Sequence, residues 1–540
     1  MSTAASEASS VQVRTVPLGG SALSQRIQRG DVPADWQLHR PVGPAAWRAR
    51  AEAVRADVGT DWLRALEPAF GAAHGPAFMR RVAAAGAGVV VTTGQQPGLF
   101  GGPAYTITKA LSALALADAL AQQLRVPVAP IFWAATDDAD WREASTTHVV
   151  GTDGLVPLAL EGPPTDGLMM RDVPLGPLAA ARQALHEACG SAAGHDVLAE
   201  LDAAYADGRT IGDAYVHWLR GLLEPLGVSV LDAAHPAVRT ALDPWLRRAL
   251  RAAPAVDRAL RARTDAIVTG GDQPQVELVD GLSLVFASDV EDAGGVGARA
   301  RVPLVDAERV AESNAVGTLG ANVLLRPVLE RQLLPTVAYV AGPGELAYFA
   351  QATAVAEGLD VPVPLAVPRW AADWTEPQVA QLLDEYAVQE DDLLDPHALE
   401  TRLAREGMDR EVVDALERLR VTLDTQVSAL GHAVSQADAL VPDAVIDGVS
   451  RDLSHRLDRV ERRLVAAAKR RDATRARAAA VIRAARRPLG AAPERVLSLV
   501  PVLARHGRVV LEQMRAEAAR HAEALVHGRA EGVETSSAPR

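Results

Sequence analysis

Five short apolar runs, each ending in glycine or polar residues, constrain the fold of this chain more than any other feature. Residues 89–93 lead into GQQPG, and residues 126–135 (VPVAPIFWAA) lead into TDDAD, residues 136–140. Residues 227–231 lead into Asp232 and His235, residues 336–341 into GPGE, and residues 361–367 into Pro368 and Arg369. Helical patterns lie between several of them, at 107–124, 211–226 and 346–357. Strands that are apolar throughout, alternating with helices, predict an α/β fold with a mostly parallel sheet covered on both faces. In such sheets ligands bind beyond the carboxyl ends of the strands, and the polar residues collect at those ends.

The pattern is interrupted, and the interruptions divide the chain. Core segments are expected at 1–155, 211–240 and 316–375. Residues 156–210, rich in Gly, Pro and Ala, and 241–315 read as inserted connective segments. The second insertion includes QVELVDGLSLVFA, residues 275–287, whose alternation around Asp280-Gly281 predicts a β-hairpin. From 376 to 527 the chain becomes helical. Val412, Leu416, Leu419, Leu423, Val427 and Leu430 recur at spacings of three and four, as do Val449, Leu453, Leu457, Val460 and Leu464. This predicts two long amphipathic helices in an antiparallel coiled coil, the second running between Pro442 and Pro488. Residues 528–540 read as a disordered tail.

Composition excludes several function classes. A formal charge of −13 argues against a broad nucleic-acid-binding face, so an anionic ligand must be held by local positive groups. One cysteine, Cys189, excludes a disulfide framework and any multi-cysteine zinc site. No apolar run is long enough to span a bilayer and the N-terminus lacks a signal-peptide core, so a cytoplasmic protein is expected. Only two of the 55 basic residues are lysines, Lys109 and Lys469. In a chain that otherwise uses arginine, Lys109 marks a place where a compact ammonium serves better than a planar guanidinium.

The segment TTGQQPGLFGGPAYTITKA, residues 92–110, surrounds Lys109. It is neither a P-loop nor a GxGxxG motif. Two readings stand even: a turn whose backbone amides and following helix N-terminus approach an anion, or a tight turn packed on a neighbouring loop. The candidate binding residues here are Thr93, Gly94, Gln95, Gln96, Gly98, Tyr105 and Lys109. The acids Asp137, Asp138 and Asp140 follow a strand; they either cap a helix or hold Mg²⁺ or an amine, or act as a general base. Gly342 and Gly344 form a second glycine turn before Glu345 and Tyr348, with a helix cap as its alternative role. Arg326 stands in an apolar run, where burial demands an anionic partner, either an internal acid or a substrate carboxylate or phosphate.

Taken together, TTGQQPGLFGGPAYTITKA, PIFWAATDDAD, NVLLRPVLERQLLPTVAYVAGPGELAYFAQ, VPRW and APERVLSLVPVLARHG resemble the signature segments of the cysteine-adding enzymes of bacillithiol biosynthesis, the BshC family. The resemblance runs from about residue 30 to about residue 515, in the family's order. It implies a Rossmann-like core related to nucleotidyltransferases and class I synthetases, inserted connective domains, and a C-terminal coiled coil that supports a homodimer. It further implies joining of cysteine to glucosaminyl-malate, with ATP as cosubstrate and Mg²⁺. On that reading Asp138, Asp140 and Glu345 are the catalytic candidates, while Lys109, Arg326, Arg369 and the glycine-turn amides receive carboxylates and phosphates. One departure stands out: where the family reads Glu-Asp-His-Asp, this chain has Asp137-Asp138-Ala139-Asp140.

Overall fold

All five apolar runs are strands of a single parallel sheet in the computed structural model, which describes residues 10–162, 167–190, 195–290, 296–395, 397–436 and 441–528. In chain order they are β1 (Val89–Gln95), β2 (Val128–Ala134), β3 (Ser229–Asp232), β4 (Thr336–Ala341) and β5 (Ala366–Pro368). Their spatial order is β5-β4-β1-β2-β3, the order of a doubly wound sheet, whose direction of winding reverses between β1 and β4. Val89 pairs with Val128 and Gln95 with Ala134 in unbroken register. Burial on both faces explains why these strands lack polar alternation.

Two helices follow the strands at the reversal point. Helix α1 (Tyr105–Leu124) comes after β1 and α2 (Pro343–Gly358) after β4. Both are apolar on nearly every side and buried along most of their length, as helices wholly inside a core must be. Close packing depends on two glycines. A Cβ at Gly94 would lie 2.7 Å from the Trp133 carbonyl, and one at Gly358 would lie 2.8 Å from the Val256 Cα.

The hairpin expected around Asp280-Gly281 is not there. Leu282–Val290 is a strand, but its partners are Val296–Pro303 and Leu319–Ala321 in a three-stranded antiparallel sheet. Residues 275–280 form no strand because their backbone is satisfied otherwise. The buried Gln351 side chain accepts from Val276 N (3.1 Å) and donates to Val276 O (2.8 Å). Residues 291–295, between the first two strands, lie outside the described residues.

The chain divides into two compact units, one of Val11–Val149, Pro157–Trp374 and Glu494–Arg540, the other chiefly of Thr375–Pro493. The second unit is helical. Arg410–Gln436 and Asp443–Arg471 form an antiparallel pair: Gly431 lies beside Ile446, and Arg420 reaches Asp458 (2.8 Å) and Glu461 (2.9 Å). The helix expected between the two prolines is broken at Asp472, whose carboxylate caps the next helix, Ala473–Arg486, by accepting from Arg475 N. A small core of Leu393, Leu399, Leu403, Ala479 and Ile482 closes this unit. Residues 529–540, read as a tail, lie outside the described residues. Among the described residues no helix is long and apolar enough to cross a membrane.

Candidate active site

A cavity of about 620 Å³ lies at the carboxyl ends of the parallel strands, within the first unit. The ends of β1, β2 and β4 supply Gly94–Gln96, Asp137–Ala139 and Gly342–Glu345; the antiparallel sheet supplies Phe286, Arg299, Arg301 and Ala321 from the other side. The cavity thus occupies the crevice where doubly wound sheets bind ligands. Tyr105, Lys109, Arg326, Tyr348 and Arg369 also line it. Thr93, Gly98 and Asp140 do not. Thr93 is buried behind the strand end, donating to Val340 O (2.8 Å). Asp140 caps the short helix Trp141–Ala144, accepting from Glu143 N (3.0 Å).

The two halves of the glycine-rich turn have different surroundings. Gly94–Gln96 face the cavity. Gly98–Gly102 instead fold against Tyr205, whose hydroxyl accepts from Gly101 N (3.0 Å) and donates to Gly98 O (3.2 Å). Here the backbone doubles back so tightly that a Cβ at Gly98 would lie 2.6 Å from Gly102 Cα.

The three cations expected to receive substrate are each engaged internally. Lys109, 3% exposed, donates to Gly94 O (2.7 Å) and Gln95 Oε1 (3.0 Å) and pairs with Glu345 (2.5 Å). Glu345 also accepts from Tyr339 Oη (2.6 Å) and from Gly342 N (2.6 Å), so it caps α2 as well as neutralising Lys109. Burial pushes the Lys109 ammonium down; burial alone would raise Glu345, but Lys109 and its hydrogen bonds hold it below the ordinary range. Arg326 contacts Glu330 (3.3 Å), Tyr339 Oη (3.3 Å) and Tyr348 Oη (3.2 Å). Burial lifts Glu330 to about 7, with Arg326 pulling the other way. Arg369 makes a two-pronged pair with Glu494 (2.8 and 2.5 Å).

Besides Glu330, two further acids are not singled out from the sequence. Glu494 opens the C-terminal segment and lies too far from Arg369 in sequence for any local pattern to join them. Glu143 accepts from Tyr105 Oη (2.8 Å), Gln95 Nε2 (3.2 Å) and Gln96 Nε2. Its signal was available: it stands three residues after the capping Asp140, the usual place for an acid in a first helical turn. Asp138 is pushed up by burial and by Asp137, and its carboxylate accepts from Ala139 N (2.7 Å). Among the described residues no three His, Cys, Asp or Glu side chains come together as a metal-binding group. His235 caps the helix Pro236–Arg251.

Chemically, this is a crevice lined by strand-end backbone, the first turn of α2, two adjacent carboxylates and several arginines. A family model described as "Bacillithiol biosynthesis BshC, N-terminal Rossmann-like domain" matches residues 77–290 and 309–370. Among curated relatives named "Putative cysteine ligase BshC", that of Solibacter usitatus is 31% identical over 432 residues, covering 78% of this chain and 80% of the relative. Those of Koribacter versatilis (30%; 77% and 79% covered) and Salinibacter ruber (28%; 79% and 80% covered) match over similar lengths. With its parallel sheet, strand-end crevice and signature segments in place, the chain belongs to the BshC family of bacillithiol biosynthesis.

Proposed function

We propose that the protein is a cytoplasmic ATP-dependent ligase that joins the carboxyl group of L-cysteine to the amine of glucosaminyl-malate. The observation that carries this reading is the strand-end cavity, built from segments that resemble the family's signatures and large enough for several small-molecule groups at once. Amide formation in water is uphill, so ATP activates the cysteine carboxylate. A carboxylate oxygen attacks a phosphorus of ATP to give an acyl adenylate or acyl phosphate, with pyrophosphate or ADP leaving. The neutral sugar amine then attacks the acyl carbon, the acyl–oxygen bond breaks, and AMP or phosphate departs.

The residues suit these steps. The amides of Gly94–Gln96 suit phosphate oxygens. Asp138, raised by burial and by Asp137, suits acceptance of the amine proton. Mg²⁺ carried with ATP keeps waters and phosphate ligands of its own and needs only one or two carboxylates, a role that fits Asp137. Lys109 and Glu345 hold the floor of the site in place. A nucleotidyltransferase-like or synthetase-like ancestry accords with the strand order.

The helical unit supports a homodimer through a coiled coil. Leu419, Leu430, Val449 and Val460 are 48, 49, 40 and 50% exposed on its paired helices, a stripe that a second copy would cover. Deleting residues 400–487 should yield monomer or aggregate in light scattering, and an active dimer after deletion would refute this. Ala139 on the cavity wall favours a second reading, a family relative impaired in catalysis that binds ligands as a scaffold. Incubating the protein with ATP, Mg²⁺, cysteine and glucosaminyl-malate separates the two: a thiol product by mass spectrometry is expected. Ligand binding without ATP consumption would establish the scaffold, and turnover with another amino acid alone would change the donor.

A further inference from the structure

Arg301, Arg326 and Arg369, which line the cavity, are hydrogen-bonded within the chain, but Arg239 and Arg299, which share a recess beside it, are not. Beyond Asp137 the cavity continues into a recess of about 20 Å³, bounded by Trp133, Asp137, Arg239, Arg299, Gly320 and Arg326. Arg326 is satisfied by Glu330 and two tyrosines, and the nearby Arg171 pairs with Asp232 (2.8 Å). Arg239 and Arg299 form no ion pair and no side-chain hydrogen bond among the described residues. The buried Arg299 Nε and the Trp133 indole N–H, on a side chain only 2% exposed, likewise find no acceptor there. Buried donors without acceptors are costly and uncommon. Two of them around one small recess, beside the unpaired Arg239, indicate an acceptor that arrives from outside.

The surroundings hold these donors in place. Arg299 stacks on Phe286, 5.0 Å from the ring centroid, and Gly320 lets its guanidinium lie against the strand: a Cβ there would come within 3.2 Å of Arg299 Nη1. Arg239 stands in the first turn of the helix Pro236–Arg251, where the helix dipole disfavours a cation. That position costs stability unless an anion offsets it. Burial lowers the Arg239 guanidinium, Asp137 and Asp172 oppose this, and Arg299 and Arg171 reinforce it. The carboxylates of Asp137 and Asp172 are near, yet neither closes on an arginine.

We propose that this recess seats a carboxylate of the amine-bearing substrate and so sets the acceptor specificity of the enzyme. The inference rests on the ligase reading above. Its volume admits roughly one water-sized group, which fits a carboxylate oxygen and excludes a triphosphate. Asp137 at the mouth adds repulsion against a polyanion, and two arginine forks with an indole N–H match the planar geometry of a carboxylate. Phosphate then belongs with the strand-end amides, and the amine beside Asp138.

Calorimetry on the full-length protein tests this, with Arg239→Gln, Arg299→Gln and Trp133→Phe as variants. Glucosaminyl-malate, methyl glucosaminide (no carboxylate) and ATP with Mg²⁺ are the probes. Each arginine variant should bind glucosaminyl-malate about tenfold more weakly or worse, with methyl glucosaminide and ATP unchanged and a smaller loss for Trp133→Phe. Equal losses for the two sugars, or a loss confined to ATP, would overturn the assignment. Should a glutamine variant fail to fold, Arg299→Lys keeps the charge without the fork and should still lose discrimination between the two sugars. If the wild-type protein yields no thiol product, the ligase reading fails on its own. Malate and succinate then probe the recess: saturable wild-type binding lost in both arginine variants sustains it, and absence of wild-type binding removes it.

Discussion

The two walls of the cavity use charge in opposite ways. On the parallel-sheet wall Lys109, Arg326 and Arg369 are each held by an internal acid, Glu345, Glu330 and Glu494. On the antiparallel wall and the recess behind it, Arg299 and Arg239 have no such acid among the described residues. A buried charge must be compensated. Where the chain supplies the compensation the charge is architecture; where it does not, a ligand supplies it. A residue's place beside a cavity therefore says less about its role than whether its hydrogen bonds are already taken.

The largest expected effect comes from breaking the sealed wall. Lys109→Met leaves the Glu345 carboxylate buried beside two donors and no cation. The loss should be about 3–5 kcal/mol in chemical denaturation, the usual consequence of removing one partner of a buried pair. Glu345→Gln in the same background should recover part of it. A loss below about 1 kcal/mol would mean that water reaches the pair and that Lys109 is available to substrate after all.

Glu330 gives the sealed wall a pH signature. Its carboxyl rises from the ordinary 4.5 to about 7 through burial. A raised carboxyl binds its proton more tightly in the folded state, so the native state is favoured below the unfolded value. That advantage is lost as pH climbs from about 4.5 to about 7. Between about pH 5 and about pH 8, wild type should therefore lose on the order of 2 kcal/mol more stability than Glu330→Gln. Parallel urea midpoints for the two proteins across that interval would show that Glu330 is ionised throughout, locked to Arg326.

Tyr105 lies at the edge between the walls. Tyr105→Phe removes the hydroxyl that donates to Glu143 (2.8 Å) and accepts from Gln95 (3.1 Å), and should cost about 1–1.5 kcal/mol in thermal or urea unfolding. Because that hydroxyl holds the burial-raised Glu143 down, the variant should also shift the acid limb of any pH–rate profile upward. An unmoved limb would separate Glu143 from the reaction.

The contrast between the walls also explains what could be read without coordinates. The five strands were legible because a buried parallel strand is a continuous apolar run whose period does not matter. The glycine turn and Lys109 were conspicuous for the same local reasons. Partnership was not legible: Glu494 meets Arg369 across a long sequence separation, and Gln351 satisfies the backbone of Val276, which made an alternating segment look like a strand. Arg299 was hidden by its context, since GARARVP reads as the solvated face of an ordinary strand, and Arg239 reads as any arginine on an amphipathic helix.

The smallest expected effect falls on the open wall, and it sharpens the comparison most. Arg299→Gln gives up the stacking on Phe286, worth about 0.5–1 kcal/mol at a partly exposed site, and breaks no ion pair. It also relieves the repulsion between Arg299 and Arg239 that depresses the Arg239 guanidinium. The two changes oppose each other, so the net loss in urea denaturation of the ligand-free protein should stay within about 1 kcal/mol of wild type. Added glucosaminyl-malate should then stabilise wild type more than the variant, because only binding to the native state raises stability. A ligand-free loss as large as that of Lys109→Met would place Arg299 with the sealed charges, and the distinction between the walls would fall.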